Sequence, residues 1–354
     1  MTKPVLKLQY PAFWQHRGWK SHLLSPLGWL YCTVAAKRRR QRGSRGQLLP
    51  VPVVVVGNIT VGGTGKTPVV LALIKALRAR GYCPGVVSRG FGAKIGQNPI
   101  LVDEQTPVDR CGDEPLLIVQ QTKAPVAVHP QRVAAGYALL SSNPAVDVII
   151  ADDGFQHHAL ARTVDWVVID AQRKLGNQRC IPAGPLREHP RALNDADAVL
   201  INGHTNWAPK FGPKPTELAF KLTCAIDLST RQHCDLNTLA GRLSGLRVLA
   251  IAGIGNPQSF FSMLTTHGIK ATRTQALADH QPLTSQQIDC WLKEFDVILM
   301  TEKDAVKLTN LEGNAGRLYA IAGEVSLPAD LIDNLLKCIA HGSITGKEHG
   351  QTST

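Results

Sequence analysis

The chain has 354 residues, of which 44% are hydrophobic, and a formal net charge of +12. That length exceeds one typical domain and supports two packed cores. Its eight cysteines are scattered without a C-x-x-C pair, which argues against a zinc site and a disulfide framework and fits a reducing cytoplasm.

The charge is unevenly placed. No Asp or Glu precedes Asp103, and 16 Lys and Arg fall in the first 102 residues, whereas the remaining 23 basic residues face 27 acidic ones. An anionic partner is therefore expected at the N-terminal part. Leu23 to Ala36 is apolar but too short to span a bilayer comfortably, and the run Lys37-Arg38-Arg39-Arg40-Gln41-Arg42 follows at once. Trp14, Trp19, Trp29 and Tyr31 suit a membrane interface, and the basic run suits anionic headgroups. Residues 1–46 read as a peripheral membrane-associating segment, the alternative being an amphipathic helix packed on the protein itself. No nucleic-acid recognition motif accompanies the basic run, so no nucleic-acid partner is expected. No small-residue cleavage site follows a compact apolar run, so no cleavable signal peptide is expected.

Pro52 to Val56 predicts a strand. The loop Gly57-Asn58-Ile59-Thr60-Val61-Gly62-Gly63-Thr64-Gly65-Lys66-Thr67 follows, and then a helix over Val69 to Arg80 with Gly81 at its end. This strand, glycine-rich turn and helix form the arrangement that cradles nucleotide phosphates on backbone N–H groups. Gly62, Gly63, Thr64, Gly65, Lys66 and Thr67 are the candidate ATP contacts, with Lys66 directed at the β/γ oxygens and the Thr67 hydroxyl at Mg²⁺. Thr60 stands where the usual pattern opens with Gly.

Further strands are expected at Gly85 to Ser88, Pro125 to His129, Val148 to Ala151, Trp166 to Ile169 and Ala198 to Ile201, with a helix at Arg132 to Leu140. Short apolar runs separated by helices predict an α/β fold. Its expected form is a P-loop NTPase-like, mostly parallel sheet with helices on both faces, occupying residues 47–215. Asn206 to Pro215 reads as a linker or surface loop. A second, smaller α/β domain is expected over 216–340, with strands at Leu246 to Ala252 and Asp296 to Met300 and a helix at Gln258 to His267. A disordered tail is expected over 341–354. Gly253-x-Gly255 lacks the third glycine of a dinucleotide fingerprint and reads as a turn that needs small residues.

Asp152 and Asp153 close an apolar strand at the edge where α/β sheets bind ligands, so they are the candidate partners of Thr67 around Mg²⁺. Taken alone, Asp113 and Glu114 before Pro115 read as helix caps, and His280 as a structural histidine. The order of the motifs changes that. Ser88-Arg89-Gly90-Phe91-Gly92, Gly112-Asp113-Glu114-Pro115, Asp152-Asp153-Gly154-Phe155-Gln156-His157, Gly184-Pro185-Leu186-Arg187-Glu188, Asp279-His280 and Thr301-Glu302-Lys303-Asp304-Ala305-Val306-Lys307 follow the phosphate loop in this order. With that loop they closely resemble the tetraacyldisaccharide 4′-kinase (lipid A 4′-kinase) family over about Leu23 to Leu335.

The resemblance implies an ATP- and Mg²⁺-dependent kinase of lipid A (lipopolysaccharide) biosynthesis. It would phosphorylate the 4′-hydroxyl of a tetraacylated glucosamine disaccharide 1-phosphate at the cytoplasmic face of the bacterial inner membrane, peripheral or monotopic through its N-terminal segment. It further implies Asp113 as catalytic base paired with His280, and catalytic roles for Lys66 and Arg187. Arg89, Glu114, Arg132 and Gln156 are substrate candidates. Phe91 stands where that family often has Tyr, and no aromatic residue immediately follows His280. The rival reading is a membrane-associated P-loop ATPase of the partitioning or metallochaperone type, which needs a Lys where Val61 stands.

Overall fold

The computed structural model describes residues 11–43, 46–308 and 313–341. Most of the expected tail, from 342 onward, lies outside the described residues, as do residues 1–10 and 44–45 of the N-terminal segment.

Helices α1 (Trp19–Leu23) and α2 (Ser25–Gly43) precede a first sheet. That unit runs β1 (Val53–Gly57), α3 (Lys66–Arg78), β2 (Pro84–Ser88), β3 (Ile100–Val102), α4 (Val108–Cys111), α5 (Asp113–Thr122), β4 (Val126–Val128), α6 (Arg132–Ser142), β5 (Val148–Asp152), β6 (Val164–Asp170), β7 (Ala198–Asn202) and β8 (Thr216–Leu218). The eight strands lie in the order β3-β4-β2-β5-β1-β6-β7-β8. Only the edge pair β3–β4 is antiparallel. Every residue of β1, β2, β5 and β6 is buried, as expected of strands covered on both faces.

The chain leaves this sheet after Leu218 and builds a second, six-stranded one. β9 (Phe220–Asp227), β10 (His233–Cys234), α7 (Leu236–Arg242), β11 (Val248–Ala252), α8 (Pro257–Thr266), β12 (Arg273–Ala276), α9 (Ser285–Glu294), β13 (Val297–Thr301), α10 (Glu302–Ala305) and β14 (Leu318–Val325) follow in order. The strand order is β10-β9-β14-β13-β11-β12. Two further features complete this arrangement. The Asn206 to Pro215 stretch loops between β7 and β8, with Trp207 and Phe211 packed partly against the first core. The last helix, α11 (Ala329–His341), returns to the first unit, where Ile332, Leu335 and Ile339 join Val54, Leu73 and Leu77 in one apolar cluster.

The N-terminal helices are not a free tail. Trp14 is 3% exposed, and its indole Nε1 donates to the Pro182 carbonyl at 3.0 Å, so it is a core anchor and not an interfacial residue. Buried Ser21 bonds the Ala183 carbonyl at 2.9 Å. Cys32 of α2 is joined to Cys180 by a disulfide across 148 residues, a single pairing that scattered cysteines do not signal. The opposite face of the helices stays bare: Trp19, Leu23, Leu27, Trp29, Leu30, Tyr31 and Val34 are all exposed. Among the described residues no helix is long and apolar enough to cross a membrane.

Candidate active site

Strand register assembles the site. β1 pairs with β5 so that Val56 faces Asp152, and β2 flanks β5 with Val87 opposite Ala151. The carboxyl ends of all three strands therefore open on one edge. There they present the phosphate loop, Ser88-Arg89 and Asp152-Asp153 together.

The loop shows why its sequence is what it is. Gly62 and Gly65 have φ of +93° and +85°, a region that penalises any Cβ, and a Cβ at Gly65 would also collide with the Asn202 amide. Thr60, in the place of the usual first Gly, is held in an antiparallel bridge to Leu186. Val61 N–H donates to Pro185 O at 2.8 Å and Arg187 N–H to Ile59 O at 2.7 Å, and the same bridge delivers Arg187 to the loop. Asn58 Nδ2 donates to Gly62 O at 3.3 Å, and Asn202 Nδ2 to Thr64 O at 3.4 Å. α3 starts at Lys66, earlier than the sequence predicts, so Lys66 and Thr67 occupy its first turn, where unpaired N–H groups attract anions.

The two adjacent aspartates are held differently. Asp153 has a φ of +49° and accepts Lys66 Nζ at 3.3 Å and Arg187 Nη1 at 3.1 Å. Burial pushes its carboxyl up, but Lys66 and Arg187 outweigh burial and hold it well below the usual carboxylate range. Asp152 is 1% exposed; its Oδ2 accepts from Ser88 Oγ at 3.2 Å, while its buried Oδ1 has no hydrogen-bond partner. Burial, and then the like charge of Glu114, push the Asp152 carboxyl up to about 7. A buried carboxylate with an open oxygen fits a cation. Among the described residues no cluster of three or more His, Cys, Asp or Glu side chains could hold a metal alone. A divalent ion here would rest on Asp152, the Thr67 hydroxyl and nucleotide phosphates, the ligand set that suits Mg²⁺.

Asp113 and His280 meet across the two sheets. His280 Nδ1 lies 2.9 and 3.0 Å from the Asp113 oxygens, 167 residues away in sequence. Phe91, from the first unit, packs at a tilt against the His280 ring with centroids 4.9 Å apart, supplying the aromatic neighbour that the residues after His280 lack. For Asp113, burial raises the carboxyl, yet Lys303, the hydrogen bond to His280 and Lys307 together hold it well below the usual range. Burial lowers the His280 imidazole, but Asp113 more than compensates and leaves it above its ordinary value.

The sequence reading assigned no role to Lys303 and Lys307, although it singled out the motif that contains them. α10 and the turn that follows it bring both into the acid cluster: Lys303 Nζ contacts Glu114 at 2.9 Å and Asp279 at 3.0 Å, and Lys307 Nζ contacts Asp304 at 2.8 Å and lies 3.7 Å from Asp113. Their close spacing just after an apolar strand was the available signal. Gly253-x-Gly255 is indeed a turn that needs small residues, since a Cβ at Gly255 would fall 2.5–2.6 Å from the Gly63 backbone of the phosphate loop. The second unit therefore touches the loop directly.

The remaining candidates divide. Gln156 joins the cluster: its Nε2 donates to Asn58 O at 2.8 Å, and its Oε1 accepts from Arg187 at 3.3 Å. Arg132 is 3% exposed and reaches the Asp153 carbonyl at 3.4 Å. Glu114 is committed to Lys303. Arg89 stays exposed at the rim of the cleft, close enough to Arg132 for their charges to oppose.

A phosphate loop, an acidic pair at the neighbouring strand end and an Asp–His dyad in the cleft between two sheets define a P-loop phosphotransferase. Residues 20–340 match the model of the LpxK family, tetraacyldisaccharide-1-P 4′-kinase, and the chain belongs to that family. The tetraacyldisaccharide 4′-kinase of Vibrio cholerae serotype O1, Classical Ogawa strain O395, is 45% identical over 303 residues, covering 83% of this chain and 86% of that protein. The same-named enzyme of Vibrio campbellii is 43% identical over 288 residues, covering 80% and 82%. Among solved structures, an "apo"-form crystal structure of LpxK from Aquifex aeolicus in complex with ATP superposes with a TM-score of 0.71 at 26% identity, covering 91% of this chain and 98% of that one.

Proposed function

We propose that this chain transfers the γ-phosphoryl group of ATP to the 4′-hydroxyl of a tetraacylated glucosamine disaccharide 1-phosphate, with Asp113 and His280 acting as one base. The observation that carries the reading is the Asp113–His280 contact in the same cleft as the phosphate loop. Phosphoryl transfer asks little covalent chemistry of a protein; it asks for alignment and charge stabilisation. The loop N–H groups, Lys66 and Arg187 supply positive potential toward the transferring group. Asp153 orients Lys66 and Arg187; Asp152 and Thr67 would hold Mg²⁺, whose charge would offset that developing on the phosphates. The acceptor proton passes to the dyad as the hydroxyl attacks. Contact between the second unit and the loop excludes water that would compete as acceptor. A partitioning or metallochaperone ATPase is disfavoured by the family assignment and by Val61 in place of its signature Lys.

Purified protein given labelled ATP and the glycolipid is expected to form the 4′-phosphate. ATP consumption that is indifferent to the glycolipid, with no phosphorylated lipid, would overturn the reading.

The exposed apolar face of α1 and α2 supports docking on an anionic membrane surface beside the acylated substrate. Deleting the segment is a poor test, because it also removes Trp14, Ser21 and Cys32 from the fold. The double substitution Trp29→Ser/Leu30→Ser touches exposed side chains only. At about 1.5–3 kcal/mol for each buried large apolar side chain, it should weaken cosedimentation with anionic vesicles by at least tenfold while the melting temperature holds. Undiminished vesicle binding would remove this face from the membrane contact.

A further inference from the structure

The basic run at the end of α2 reads from sequence as a uniform headgroup-binding cluster. In the structure Arg39 departs from its neighbours. Lys37 and Arg38 are exposed, whereas the Arg39 side chain is 18% exposed and faces the protein. Its Nη1 donates to Glu188 Oε2 at 2.7 Å, its Nη2 lies 2.8 Å from Asp195 Oδ2, and its guanidinium covers the buried Phe155 ring at 4.8 Å.

Glu188 does not end there. Its carboxylate is 5% exposed, and its other oxygen accepts Gln156 Nε2 at 3.1 Å. Gln156 Oε1 accepts from Arg187 Nη1, Arg187 is fastened to Asp153, and Asp153 to Lys66. One unbroken line of polar contacts thus runs from the helix carrying the exposed apolar face to the lysine of the phosphate loop.

We propose that Arg39 is a positioning residue of the kinase site, holding Glu188 and through it Gln156 and Arg187 on Asp153. This rests on the kinase reading given above. A buried carboxylate deprived of its cation is strongly disfavoured, so without Arg39 the Glu188 side chain turns toward solvent. That turn releases the Gln156 amide, and Arg187 loses one of its two anchors. The helix that meets the membrane is on this account a working wall of the active site as well as a support.

The experiment compares wild type, Arg39→Gln, Glu188→Gln and the double variant, with saturating ATP and glycolipid dispersed in detergent micelles, alongside anionic-vesicle cosedimentation. Arg39→Gln should lower kcat about tenfold, as for loss of a charge-assisted hydrogen bond, with vesicle binding changed less than twofold. The double variant should be no slower than the slower single one, because both changes cut the same line. Arg39→Lys keeps the charge and places the least demand on folding. It cannot straddle Glu188 and Asp195, so its kcat should fall between those of Arg39→Gln and wild type. Wild-type kcat in both Arg39 variants would overturn the inference, as would multiplicative losses in the double variant or a loss confined to vesicle cosedimentation. A wild-type protein that fails to phosphorylate the glycolipid would instead overturn the kinase reading itself.

Discussion

Asp113→Asn should lower kcat by about 10²–10⁴ while the KM for ATP changes little, the pattern expected when a proton-accepting group is lost and the nucleotide site is left intact. Asn preserves the size of the side chain and can still meet His280 Nδ1, so the loss would report charge and not shape. The carboxylate is already ionised at any working pH, held there by Lys303, His280 and Lys307 against the cost of burial. Alone it would take a proton reluctantly. Facing the imidazole at 2.9 Å, it raises the affinity of His280 for a proton, and the pair titrates as a unit.

The sign of the pH dependence follows. A protonated dyad cannot accept the sugar proton, so the rate should fall as pH drops through the His280 value, which lies above the ordinary imidazole value of about 6.5. Removing the Asp113 charge destabilises the imidazolium, so in Asp113→Asn the residual activity should hold to lower pH than in wild type. Asp279, whose Oδ1 lies 3.7 Å from His280 Nε2, and Lys303 beside it act in opposite senses and remain in both proteins. Profiles of kcat/KM against pH read this directly. Unchanged turnover, or an acid limb displaced upward, would remove Asp113 from the base.

Local chemistry explains what could be read from the residues alone. Strand, glycine turn and helix around Lys66 are consecutive in the chain, and the apolar runs of β1, β2, β5, β6 and β7 are short, buried and β-branched. The antiparallel ribbon of β9 and β14 escaped because its residues alternate only loosely between inside and outside. α9 also escaped, although Thr284 and Gln287 form a capping box that spacing could have revealed. Within the site, the reach from Asp113 to His280 spans 167 residues and that from Glu114 to Lys303 spans 189. No periodicity reports such pairings; only the resemblance in motif order put Asp113 and His280 together. That resemblance was silent on Lys303, Lys307 and Arg39, whose roles depend on which carboxylate each one meets in space.

Lys66→Met should lower phosphoryl transfer by at least about 10²–10³, the usual cost of removing one preorganised charge from a transition-state site. Lys66 directly follows the last loop glycine and begins α3, so its ammonium adds to the field of the helix N-terminus at the point where γ-phosphate charge develops. Asp153, 3.3 Å away, holds it there. Methionine matches the length of the stem and leaves the fold intact, but Asp153 then keeps only Arg187 as its partner. Two losses should therefore be seen together: weaker ATP binding from the missing charge, and a lower kcat from an Arg187 drawn wholly to Asp153. Lys66→Arg should recover part of the first and little of the second, because a planar guanidinium cannot occupy the position of a compact ammonium inside a loop shaped by Gly62 and Gly65. Nucleotide binding by titration calorimetry and kcat on saturating substrates separate the two effects. A Lys66→Met protein with wild-type turnover would mean that the phosphates bind elsewhere in the chain.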